Sequence, residues 1–148
     1  MQFSTSIEYA IHGLVYLAAA KSDSAVLVND IAAAIRVPES YLRKVLQLLG
    51  RGGLVASHRG VKGGFTLARD PKEITLKDVV EAIDGTLPFY ACAKTTRKCT
   101  IVEACPVSSA FSAARRKMAE ALDETSIHAL ASGISRRSGS WLKVNECA

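Results

Sequence analysis

Apolar residues recur at helical spacing near the start of the chain. Ile7, Ile11, Leu14, Leu17 and Ala18 fall on one stripe and predict a first helix, capped by Ser4 or Thr5. Glu8 and His12 are four apart, so they share a face of that helix off the stripe. The polar break Lys21-Ser22-Asp23-Ser24 ends it. A second helix starts near Val28-Asn29-Asp30, with an acid in its first turn, and runs through Ile35. Arg36-Val37-Pro38 interrupts the pattern. Proline is tolerated at a helix start and disfavoured inside one, so it opens a third helix, Glu39 to Leu49. Leu42, Val45, Leu46 and Leu49 form its buried stripe, leaving Ser40, Tyr41, Arg43, Lys44 and Gln47 on other faces. Two short helices joined by a tight turn, the second polar and basic near its start, make a helix-turn-helix pattern.

The period then changes. Gly50 to Gly53 ends the third helix, Leu54 to Arg59 reads as a strand, Gly60 to Gly64 as a turn, and Phe65 to Ala68 as the returning strand. A basic hairpin in this place is a wing, with Arg59 and Lys62 at its tip for phosphates or a minor groove. Thr75 begins another helix, with Asp78 completing a capping-box variant, Val79, Val80 and Ile83 facing inward and Gly85 at its end. Residues 86–104 carry no strong period. Pro106 opens the longest helical segment, where Val107, Phe111, Ala114, Met118 and Ala121 or Leu122 alternate by four and three. Such a seam packs on a core or on a second copy, and a two-fold dimer would match a palindromic operator. Thr125 or Ser126 caps a last short helix through Leu130, and the Ser/Gly/Arg-rich stretch from Ser132 is expected to be mobile.

The expected fold is mainly α with a small β-hairpin, a winged helix-turn-helix unit plus a long dimerisation helix. The expected divisions are 1–85 for DNA binding, 86–105 as a cysteine loop, 106–131 for the dimerisation helix and the short helix after it, and 132–148 as a tail.

Charge sharpens this reading. The 148 residues carry a net charge of +5 and are 49% hydrophobic, enough for one domain with a core. Between Arg36 and Lys72 there are eight basic residues against two acids, so this segment alone exceeds the net charge of the whole chain. A local basic excess suits a polyanion, nucleic acid above all, although a solvated basic face has the same composition. No basic segment precedes the apolar run Ile7 to Ala20, which is interrupted by Glu8 and His12 and too short to span a bilayer. A cytoplasmic protein without membrane contact is expected, in a compartment where thiols stay reduced.

The candidate chemistry lies in Cys92, Cys99 and Cys105, three of the four cysteines within fourteen residues, with spacings of six and five. Thiolates are soft ligands suited to iron–sulfur clusters, in the 2Fe-2S or 4Fe-4S form. Three of them leave one position to a weaker oxygen or nitrogen donor, or to a small molecule, which suits a sensor. Lys94, Arg97 and Lys98 place positive charge beside them. The same residues could bind zinc with Glu8 or His12, or act as redox thiols without metal. Cys147 sits in the tail as a free thiol, and His58 and His128 have no evident partner. An electron carrier would normally use four cysteines, Gly63-Gly64 is a hairpin turn, and no nucleophile–base constellation is present, so an enzyme is not expected.

The stretch Arg59-Gly60-Val61-Lys62-Gly63-Gly64-Phe65-Thr66-Leu67-Ala68-Arg69, followed by Ile74-Thr75-Leu76-Lys77-Asp78-Val79-Val80 and Gly85, resembles one bacterial family. These are the winged-helix iron–sulfur transcriptional regulators related to IscR and NsrR, and the likeness runs from about Met1 to Leu130. It implies a homodimer with the long helix at its interface, and a cluster on the cysteine loop that gates operator DNA binding. The loop is more similar to the nitric-oxide-sensing branch. IscR-like proteins carry a histidine ligand three residues after the last cysteine, where this chain has Ser108. In the nitric-oxide branch an acid from the partner's first helix completes the cluster, and Glu8 matches it. Some relatives add a histidine one turn later, which corresponds to His12. Ser40, Tyr41 and Arg43 match the start of the family's recognition helix. Arg43 stands where IscR-like proteins carry glutamate, which favours guanine over cytosine. Lys44 is then a phosphate contact or a solvated side chain. The resemblance implies a regulator, by expectation a repressor, that senses nitric oxide, redox state or iron. The alternative is a dimeric regulator of the same fold that uses zinc, thiol oxidation, a metabolite or a protein partner.

Overall fold

The computed structural model describes residues 3–20, 24–60, 63–85 and 105–138, with side chains through Gly133. In order these form α1 (Thr5–Ala20), α2 (Val28–Ile35), α3 (Glu39–Arg51), β1 (Val55–His58), β2 (Gly64–Leu67), α4 (Leu76–Asp84), α5 (Pro106–Asp123) and α6 (Ile127–Ser138). The described residues are thus mainly α with one hairpin, as the periodicity predicts. None of their helices is long and apolar enough to cross a membrane.

One apolar core joins α1 to α4, the hairpin and α6. Leu14, Ile31, Leu42, Leu46, Leu49, Leu54, Ile74, Val79 and Ile127 are all buried in it. The stripe expected for α3 is buried in full, and α3 runs two residues past its expected end. Pro38 sits immediately before α3, its carbonyl accepting from the Tyr41 and Leu42 N–H groups. The turn into it uses Arg36 in the left-handed region at φ 57°. Beyond the end of α3, Gly52 lies against α4. A Cβ there would come 2.7 Å from that of Ala82, so only glycine lets the helices approach this closely.

The hairpin pairs β1 and β2 antiparallel, with Val55 opposite Leu67 and His58 opposite Gly64. It is also stitched to the segment before α2. Val26 and Phe65 exchange backbone hydrogen bonds of 2.9 and 2.8 Å. Gly64, expected in the turn, is instead the first residue of β2. A side chain there would strike the Val26 carbonyl, with 2.3 Å between its Cβ and that oxygen.

The capping box of α4 is complete. Thr75 Oγ1 accepts from the Asp78 N–H at 3.3 Å, and Asp78 Oδ2 accepts from the Thr75 N–H at 3.1 Å. Ser126 caps α6 by accepting from the Ala129 N–H. Ser4, one candidate cap for α1, instead donates its hydroxyl to Asp84 at 2.8 Å.

The tail needs correction. The last helix does not stop at Leu130, and the stretch from Ser132 is helical through Ser138. The reason is tertiary. Ile127, Leu130 and Ala131 pack on the core, and a helix docked along one side outlasts its weak intrinsic propensity. Residues 139–148, with Cys147, lie outside the described residues.

Candidate functional site

Part of the basic segment comes together: Arg43, Arg51 and Arg59 border one groove. Burial of Leu42, Val45, Leu46 and Leu49 turns Ser40, Arg43, Lys44 and Gln47 outward, and all four are exposed. Between α3 and the wing lies an open groove of about 890 Å³. Arg43, Gln47 and Arg51 line its α3 side, Ser57, His58 and Arg59 its wing side, and Leu46, Val55 and Phe65 contribute to its floor. Arg59 is exposed, as a phosphate-binding residue must be. Lys62, its expected companion, lies outside the described residues.

Two of the expected DNA-facing residues are engaged within the chain. Tyr41, 37% exposed, turns toward α1. Its hydroxyl lies 2.7 Å from Ser6 Oγ, and its ring meets Tyr9 edge-on, 5.5 Å between centroids. Arg43 donates through Nη2 to Glu39 Oε1, one helical turn earlier. Glu39, Ser6 and Tyr9 are functional candidates that a search for basic residues passes over. The Glu39–Arg43 pair has the i,i+4 spacing that signals such a contact, whereas the contacts of Ser6 and Tyr9 with Tyr41 are long-range and carry no sequence signal.

The cysteine site is only partly within the described residues. Cys105 is there, a half-buried free thiol at the position that caps α5. Cys92 and Cys99 lie outside. Glu8 is exposed in the first turn of α1, and His12 is half-buried one turn further on. Among the described residues of this single chain, no three His, Cys, Asp or Glu side chains come together as a metal site. The donors among the described residues are of the kind a cluster takes. Cys105 offers a soft thiol not committed to a disulfide, and Glu8 an oxygen donor turned away from its own core.

The third feature is α5, of which no residue is buried. Val107 is 49% exposed and Phe111 39%, and Ala114 on the same seam is exposed too. Beside them an open groove of about 670 Å³ separates α5 from α4, with Val80, Met118, Ala119 and Leu122 among its lining residues.

Comparison with known proteins agrees with this architecture. The Rrf2 family, described as iron-dependent transcriptional regulator, matches residues 3–133. A Mycobacterium tuberculosis protein assigned as a helix-turn-helix transcriptional regulator is 44% identical over 87 residues, 59% of this chain. That alignment spans about half of the mycobacterial protein, 54% of its length. The regulator NsrR of Geobacillus kaustophilus is 32% identical over 124 residues, 83% of this chain and 84% of that one. Among solved structures, CymR, the global cysteine regulator of B. subtilis, superposes with a TM-score of 0.70 at 26% identity, covering 90% of this chain and 98% of that one. With the family matched across most of its length and a helix-turn-helix and wing in its fold, this chain belongs to the Rrf2 family of winged-helix transcriptional regulators.

Proposed function

We propose that this regulator is a cytoplasmic homodimer, by default a repressor, whose hold on operator DNA is set by an iron–sulfur cluster. Cys92, Cys99 and Cys105 hold the cluster, and Glu8, His12 or both complete it from α1 of the second protomer. When bound, such a cluster supplies an iron whose weaker ligand yields to nitric oxide, oxygen or iron scarcity. The rest is done by the chain. Residues 1–85 bind DNA through Ser40, Arg43 and Lys44 of α3 and through Arg59 and Lys62 of the wing. Residues 86–105 carry the cysteines, and 106–131 bring two copies together through the exposed seam of α5. Tyr41 serves chiefly as the contact between α3 and α1.

One observation carries the reading. The same first turns of α1 present Glu8 outward and, through Ser6 and Tyr9, grip Tyr41 at the start of α3. A ligand that pulls on Glu8 therefore acts on a helix bonded to the DNA-reading helix. That is a physical route from sensor to operator of the kind two-state switches use.

The test is to purify the protein without oxygen, record its visible spectrum and assay iron, sulfide and zinc. Broad visible absorbance with iron and sulfide in matching amounts supports the cluster. A colourless protein, holding zinc or no metal after reconstitution, overturns it.

The likeness to CymR, a global cysteine regulator, supports a second reading, in which the same dimer answers to a metabolite; zinc, thiol oxidation or a protein partner are the other signals that need no iron. Metal content separates the two.

A further inference from the structure

The exposed outer face of α3 is not uniformly basic. Glu39, Ser40, Arg43, Lys44 and Gln47 line it together, and Glu39 is the one acid among them. Its carboxylate is paired with Arg43, and both side chains stay open to solvent, 47% and 51% exposed. An exposed pair of this kind adds little to folding. Its effect falls on where the guanidinium points. Glu39 Oε1 engages one N–H of Arg43 and leaves four donors, enough for a two-pronged contact. Glu39 Oε2 remains an acceptor. A carboxylate facing DNA repels phosphates, so it weakens binding to every sequence unless it meets a donor. In the major groove the donor that suits a carboxylate is the exocyclic amine of cytosine, while arginine suits the two acceptors of guanine.

We propose that Glu39 and Arg43 read DNA as one unit, Arg43 on a guanine and Glu39 on the amine of a cytosine at the neighbouring position, making Glu39 a specificity-determining residue. The unit gains discrimination from both halves. The correct site satisfies Oε2 as well, and any other site leaves that oxygen without a donor among the phosphates. This rests on the reading of α3 as the helix that enters the groove.

The test uses the full chain as purified. Wild type, Glu39→Ala and Arg43→Ala are each taken through repeated selection on duplexes with a fully randomised core. Thermal unfolding confirms that the variants fold. The wild-type pool should pair a guanine with an adjacent cytosine in each half-site. Glu39→Ala should keep the guanine, lose the cytosine preference by about five-fold or more, the low end for one good base contact, and bind unselected duplex more tightly. An unchanged Glu39→Ala pool overturns the inference. So does a pool that loses guanine and cytosine together, because Glu39 would then only hold Arg43. An Arg43→Ala protein with wild-type pool and affinity would sink the reading of α3 as the groove-entering helix, and the inference with it.

Discussion

The hydroxyls of Ser6 and Tyr41 lie 2.7 Å apart and tie the first turn of α1 to the first turn of α3. Glu8 stands on α1 two residues from Ser6, and Arg43 on α3 two residues from Tyr41. The candidate sensor donor and the candidate base reader thus flank one contact. Tyr41→Phe removes the hydrogen bond and keeps the edge-on packing on Tyr9. It should cost about 1 kcal/mol in urea unfolding. It should also shrink the difference in DNA affinity between metal-loaded and metal-free protein. A variant that loses stability while the difference stays intact would remove this contact from the signalling route.

Close approach of α3 and α4 at Gly52 gives a second prediction. Gly52→Ala sets two Cβ atoms against each other and should destabilise by about 1–3 kcal/mol. Adding Ala82→Gly should make the double variant lose less than the two singles summed, because the clash is what they share. Urea melts of all four proteins give the coupling, and strict additivity would show that the helices part at no cost.

Much of this fold could be read in advance wherever the determinant is local. The capping box of Thr75 and Asp78, the α3 stripe and the hairpin depend on residues a few positions apart. Contacts between distant segments were illegible. The Val26–Phe65 bridge and the Ser6–Tyr41 hydrogen bond join residues with no pattern linking them. The extension of α6 to Ser138 followed from docking on the core, which overrode a serine- and glycine-rich composition. Glu39 was in plain view at i,i+4 from Arg43, but counting basic residues as phosphate contacts hides an acid that pairs with one of them.

The α5 seam predicts assembly. Val107 and Ala114 are exposed in the single chain, so Val107→Glu with Ala114→Glu should leave the unfolding of one chain unchanged. The double variant should sediment as a monomer. Its affinity for a palindromic duplex should fall by about 100-fold, as the second half-site is no longer bound intramolecularly. A dimer that survives both charges would move the interface to another surface.

The most direct test of cluster-gated DNA binding compares one anaerobic preparation before and after its iron is removed by a chelator. The probe is a duplex taken from the wild-type selection, with Cys105→Ser run alongside. The account predicts a coloured protein whose affinity for that duplex changes by about ten-fold or more on stripping, within the usual range for coupled sites. Cys105→Ser should be colourless, with an affinity already equal to the stripped value. A wild-type protein that holds no iron, or one whose affinity is the same with and without it, would contradict the account.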